Sequence, residues 1–213
     1  MSAEKPGPSA ERGVAVVQVL LLLTVLAAAS TGVAMLTMLE SSISRHHRID
    51  REAAYAAEAM LALVLQELDA LADWDGAIAG ATAAGFADGP LTVPRAIPGA
   101  GTVLVCCAAD SLSARLERDT GTPWRPFAWG SLAGLLGLTD AGRYYVVAWV
   151  ADDRDDGDGD AAADSNNRIL VRSEAVTPLG ARKAIEAAVE RPGGSAPEAP
   201  GRGLRVLTWR ERR

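Results

Sequence analysis

Apolar residues are gathered into one block near the start of the chain, where no charge occurs between Val14 and Leu39. Coiled at 1.5 Å per residue, this block spans about 39 Å, more than the roughly 30 Å hydrocarbon core of a bilayer. It predicts a transmembrane helix over 14–39. The helical pattern does not stop there, because Ser41 to Asp73 holds neither Gly nor Pro and is rich in helix formers from Glu52 onward. Ala54, Ala57, Leu61, Val64, Leu68 and Leu71 recur at alternating steps of three and four, with Arg51, Glu58, Glu67 and Asp69 off that stripe. The spacing predicts one helix from about Val14 to Trp74, apolar all round over 14–39 and amphipathic over 40–74. A cleaved secretory signal peptide, with Ala27-Ala28-Ala29 as its small-residue site, is the competing reading. Continuity of the helix argues against it, since a removed segment has no reason to merge with a helix of the mature domain.

Beyond Trp74 the composition turns to Gly, Ala and Pro through Gly101, which reads as a loop region. Thr102 to Cys107 reads as a strand, with Asp110 or Ser111 capping a short helix through Arg118 that Gly121-Thr122-Pro123 breaks. Ser131 to Leu138 predicts another short helix. The clearest strand signals are Arg143 to Val150, Arg168 to Val176 and Gly203 to Arg210. Lys183 to Glu190 is Ala-rich, which favours helix, yet its place after a turn at Pro178–Gly180 decides for a strand, which is the expectation. Arg191 to Arg202 reads as a Pro/Gly linker. The expected fold class is α+β: the long helix packed on an antiparallel sheet that forms a head over 75–213.

Residues 1–13 are short and polar and end in Glu11-Arg12-Gly13, followed directly by the apolar run from Val14. This junction resembles the processing site of type IV prepilins. The stretch Ala53-Ala54-Tyr55-Ala56-Ala57-Glu58-Ala59, with Leu71-Ala72-Asp73-Trp74 at its end, is similar to the N-terminal regions of PilX-like minor pilins. The resemblance covers about a third of the chain. It implies a pilin-like fold, a leader peptide over 1–13, and a prepilin peptidase that cuts after Gly13 and methylates Val14. Where major pilins carry a glutamate that pairs with a neighbour's amine, this chain has Gln18, which offers a hydrogen bond but no charge. PilX-like minor pilins and GspK-like type II secretion pseudopilins share that departure and are associated with filament tips. The resemblance therefore implies a non-enzymatic subunit that helps initiate or cap a filament. Its partners would be the prepilin peptidase, other minor pilins and the major pilin. Its place would be the bacterial inner membrane, with the head in the periplasm and later in a surface filament. A single-pass, membrane-anchored, exported binding domain not incorporated into a filament is the alternative. Arg45, His46, His47, Arg48 and Arg51 follow the span and by the positive-inside rule favour the opposite orientation. The pilin reading places them on the exported helix, where adjacent histidines about 100° apart serve as a basic collar rather than a metal pair.

Charge changes the picture at one place. Asp152, Asp153, Asp155, Asp156, Asp158, Asp160 and Asp164 fall in one short stretch over 152–166, offset only by Arg154, a balance equal to the −6 of the whole chain. Asp-rich loops relieve such repulsion by giving oxygen ligands to Ca²⁺. The candidate ligands are Asp155, Asp156, Asp158, Asp160, Asp164 and Asn166, although the EF-hand spacing is not met; a solvated hairpin loop is the plainer reading. Calcium binding, known among GspK-like proteins, is what the resemblance adds. The two cysteines, Cys106 and Cys107, are adjacent. As strand residues they would point to opposite faces, with a vicinal disulfide the alternative. A net charge of −6 argues against nucleic-acid binding, which needs clustered Lys and Arg for phosphate contacts. No nucleophile–base set, P-loop or dinucleotide signature occurs, so no enzyme is expected.

Overall fold

A computed structural model describes residues 8–97, 99, 101–137, 144–192 and 203–212, with side chains from residue 14 onward. Most of the leader, Leu138, Arg143 and the linker beyond Pro192 lie outside the described residues. The chain divides into one compact unit ending at Arg48 and a second running from Ile49 to Arg213.

The first unit is helix. Its residues belong to α1 (Pro8–Ala70), and every residue from Val14 to Arg48 is exposed, including the whole uncharged block. This helix is long and apolar enough to cross a membrane. Its threonine hydroxyls turn inward: Thr24, Thr31 and Thr37 donate to the carbonyls of Leu21, Ala27 and Val33, so these three place no unpaired donor in an apolar medium.

The second unit begins within α1 and continues through α2 (Asp75–Ile78), β1 (Arg95–Ile97), β2 (Gly101–Val103), α3 (Leu112–Thr120), β3 (Arg125–Ser131) and α4 (Leu132–Leu136). The strands β4 (Tyr145–Asp152), β5 (Arg168–Val176), β6 (Arg182–Glu190) and β7 (Arg205–Arg212) follow. Strands β3 to β7 form an antiparallel meander in sequence order, and β1 pairs with β2 in a separate small ribbon. The α+β expectation is met at this level.

One face of the large sheet carries Val146, Ala148, Val150, Ile169, Val171, Ala175, Ile185, Ala187 and Val189. Against it lies the α1 stripe, in which Ala53, Ala57, Met60, Val64 and Leu68 are completely buried. The opposite face carries Tyr145, Val147, Trp149 and Ala151, covered by Ile97, Val103, Val105, Leu112 and Leu116. The second unit therefore has three layers, with β4 at the centre and buried along both faces. That double burial explains why β4 reads as a continuous apolar run instead of an alternating one. Trp149 closes the middle of the second core by donating from its indole to Ser113 Oγ at 2.8 Å, and Ser113 in turn donates to the Val105 carbonyl.

Several expectations needed correction. The helix ends at Ala70, four residues short of Trp74, which instead folds back so that its indole donates to the Leu68 carbonyl at 2.9 Å. Strand β2 stops at Val103, because the next residues turn to bring the Leu104 and Val105 carbonyls to the N–H groups of Leu112 and Ser113. Cys106 and Cys107 sit in that turn and are joined as a vicinal disulfide, Cys107 having φ of 78°. They are not strand residues pointing to opposite faces. Strand β3 was not expected, since Pro126 and Gly130 obscure its pattern; Pro126 is tolerated because β3 is an edge strand with a bulge beside it. The stretch 75–101 holds α2 and β1 rather than loop alone. Lys183 to Glu190 is strand, and the caps of α3 are Ser111, whose side chain accepts from the Ala114 N–H, and Gly121, whose φ of 66° suits glycine.

The end of α1 is held by a residue from the far end of the chain. Arg191, just past β6, donates to the carbonyls of Leu68, Leu71 and Ala72 and lies 4.4 Å over the Trp74 ring. No basic residue occurs in the last turn of α1, so Arg191 supplies the charge that a helix C-terminus favours. Arg191→Ala is expected to lower the stability of the full chain by about 2 kcal/mol, read from thermal or chemical unfolding followed by tryptophan fluorescence. An unchanged transition would show that the carbonyls are equally well served by water.

Candidate functional site

Two features of the second unit hold chemistry: the acidic β4–β5 connection, and the sheet surface beside β7. The connection is shaped by the aspartates themselves. Short carboxylate side chains accept backbone N–H bonds a few residues on and so build turns without regular structure. Asp158 accepts from the Asp160 N–H at 2.8 Å, Asp160 from the Ala162 N–H at 3.0 Å, and Asp164 from the N–H groups of Asn166 and Arg168. Asp156 takes both the N–H and the hydroxyl of Ser165, tying the two limbs of the loop together. Asn166 donates to Asp153 at 3.0 Å, and Asp75 accepts from the Asp164 N–H at 2.9 Å, which anchors the loop to α2.

The six residues expected as a ligand set are not gathered at one point. Asp156 and Asp158 come together with Asp152, and one oxygen from each lies within 4.8 Å of the others. Asp155 is exposed and outside this group, while Asp160, Asp164 and Asn166 act as turn acceptors as described. Asp152, counted in the acidic stretch but not among the expected ligands, is the last residue of β4 and joins the group from the end of that strand. The three-carboxylate group is the part of the loop that can accept a hard cation; other oxygens would have to complete the six to eight that Ca²⁺ takes.

Electrostatics mark the same group. Burial, followed by the charge of Asp156, pushes Asp152 up to about 6 from an ordinary 3.8. Asp156 is held below the usual carboxylate range by its hydrogen bonds from Ser165. Burial raises Asp164, against the hydrogen bonds it accepts. The sign for Asp152 follows from linkage: between about 4 and 6 the folded state holds the proton more tightly than the unfolded chain, so stability falls as pH rises through that window. Asp152→Asn should remove this loss. The variant is expected to be more stable than the parent by about 1 kcal/mol at pH 7, a figure reduced for partial solvation, and no different below about pH 4. Melting curves across pH test this, and a variant less stable at pH 7 would contradict it.

In the first unit, Gly13 and Val14 lie inside α1, and Val14 and Gln18 are exposed on it. His46 Nδ1 sits 2.8 Å from the Ser42 carbonyl four residues earlier, and both histidines are exposed. Comparisons with protein-family models, with characterised proteins and with solved structures return no match.

Proposed function

We propose that the chain is a minor pilin or pseudopilin, anchored by α1 and built into the tip region of a type IV pilus-like filament. The observation that carries this reading is the double use of α1. Its residues from Val14 to Leu39 are uncharged and wholly exposed, while Ala53 to Leu68 of the same helix furnish one wall of the second unit's core. A signal peptide removed near Ala29 would serve no such helix, whereas an anchor that is retained after loss of a short polar leader would. The Gly13–Val14 junction supplies the place for that cut. Gln18 favours a subunit that does not need a charged partner ahead of it in the filament. Catalysis plays no part in this role, and the head acts by contact with neighbouring subunits.

Co-expression with a prepilin peptidase tests it. The expected product begins at an N-methylated Val14, and Gly13→Leu blocks its formation, both read by intact-mass and N-terminal peptide spectrometry. An N-terminus that stays intact would favour the membrane-anchored, exported binding domain that never enters a filament. A cut near Ala29 would favour the signal peptide.

Within the same reading the acidic loop holds Ca²⁺ through Asp152, Asp156 and Asp158. Millimolar Ca²⁺ is then expected to raise the melting temperature of the full-length chain, and Asp158→Asn to abolish the rise. An unaltered melting temperature in the parent would leave the loop as a solvated turn.

A further inference from the structure

The two edges of the five-stranded sheet are treated differently. The outer edge of β3 is occupied by the chain itself: the Ala84 N–H donates to the Phe127 carbonyl at 2.7 Å, and the Asp88 N–H to the Trp129 carbonyl at 2.8 Å. At β7, among the described residues, backbone hydrogen bonding comes from β6 alone. A strand of eight residues thus presents a row of outward N–H and C=O groups with no ladder partner.

Register sorts the side chains of this edge into two rows. Arg210 and Arg212 lie opposite Glu186 and Ala184, while Trp209 and Val206 lie opposite Ala187 and Val189 on the other face. Trp209 is 50% exposed and Val206 45%. The arginine row borders a groove of about 530 Å³ that is lined by four arginines, Arg154, Arg172, Arg210 and Arg212, but only two carboxylates, Asp119 and Glu186. Glu186 is already paired with Arg172 and Arg212. Arg154 donates only to uncharged oxygens of Thr120 and Thr122, and Arg210 has no ion pair or hydrogen bond among the described residues.

We infer that β7 is a docking edge for an extended segment of another protein, one whose side chains alternate between carboxylate and apolar. Laid beside β7, such a segment completes the outward ladder. Its period of two sets acids over Arg210 and Arg212, and apolar residues against Trp209 and Val206. Charge on an edge strand by itself only discourages pairing. Here the opposite row carries an exposed Trp and Val, with Glu211 at its end beside Lys183, so an apolar neighbour is attracted at Val206 and Trp209 and the two rows together select a partner instead of repelling all. Trp and Arg are also the side chains that dominate binding energy at interfaces. The inference does not depend on the filament reading or on the fate of Gly13.

The test uses the full-length chain in nanodiscs of uncharged lipid and a fluorescent peptide of alternating Glu and Val, followed by anisotropy. Saturable binding is expected, weakened about tenfold by Arg210→Glu and by Trp209→Ser, and about as much by raising salt to 0.5 M. A peptide of alternating Lys and Val should not bind. Arg210 is exposed and unpaired, so its replacement leaves the fold intact, which an unchanged melting curve verifies. Absence of saturable binding overturns the inference, as does equal binding by the Arg210→Glu chain. Full competition by inorganic phosphate would overturn it in favour of a small-anion site. Self-association lost on Arg210→Glu would overturn it in favour of a second copy of this chain.

Discussion

The structure depends on the burial of one helical stripe against one face of a β-sheet. Met60, Val64 and Leu68 are fully buried there, each contributing about 1.5–3 kcal/mol relative to exposure, and Ala53, Ala56 and Ala57 let the helix approach the sheet closely. The sheet needs that cover as much as the helix needs a wall. Val146, Ala148, Val150, Ile169 and Val171 would otherwise form an exposed apolar surface. Because the stripe sits on the same helix as the uncharged block, removal of that helix would take away one wall of the core as well.

Polar contacts then fix how the layers close. Arg191 joins the end of α1 to the end of β6, so residues more than a hundred positions apart complete one helix terminus. On one face of β5 to β7, Arg172, Glu174, Glu186 and Arg212 form a linked set of ion pairs: Arg172 meets Glu186 directly across the strands, Glu174 along β5, and Arg212 meets Glu186 diagonally. This set lies on the second face beside the covered core, with Glu174 buried, Arg172 and Glu186 largely buried, and Arg212 exposed. The sheet is therefore apolar under its covers and ionic beside them. That contrast leaves the arginine-lined groove next to β7.

Much of the fold was legible in the sequence, and the reasons differ by element. The stripe from Ala57 to Leu68 was readable because a period near 3.6 leaves a strong mark over several turns. Arg168–Val176 was readable from its β-branched residues, and Lys183–Glu190 only from context, because alanines suit either structure. Strand β3 was hidden by Pro126 and Gly130, which tertiary position tolerates at an edge. The end of β2 was misplaced because Val105, Cys106 and Cys107 continue a strand-like composition through a turn that hydrogen bonds to α3 enforce. At the acidic loop, composition identified the charge but not its geometry. Which carboxylates meet is decided by turns closed by Ser165 and by the last residue of β4, neither visible in a count of aspartates. Arg191 looked like part of a linker, since nothing local shows that a distant helix ends beside it.

The second part of α1 belongs to the cooperative core of the second unit and is not a stalk attached to it. Native-state hydrogen exchange on the full-length chain in lipid nanodiscs, at low denaturant, measures this directly. The account predicts that amides from Ala56 to Leu68 exchange with the same opening free energy as those of β4 and β5. Helix amides that exchange freely while the strands stay protected would contradict it.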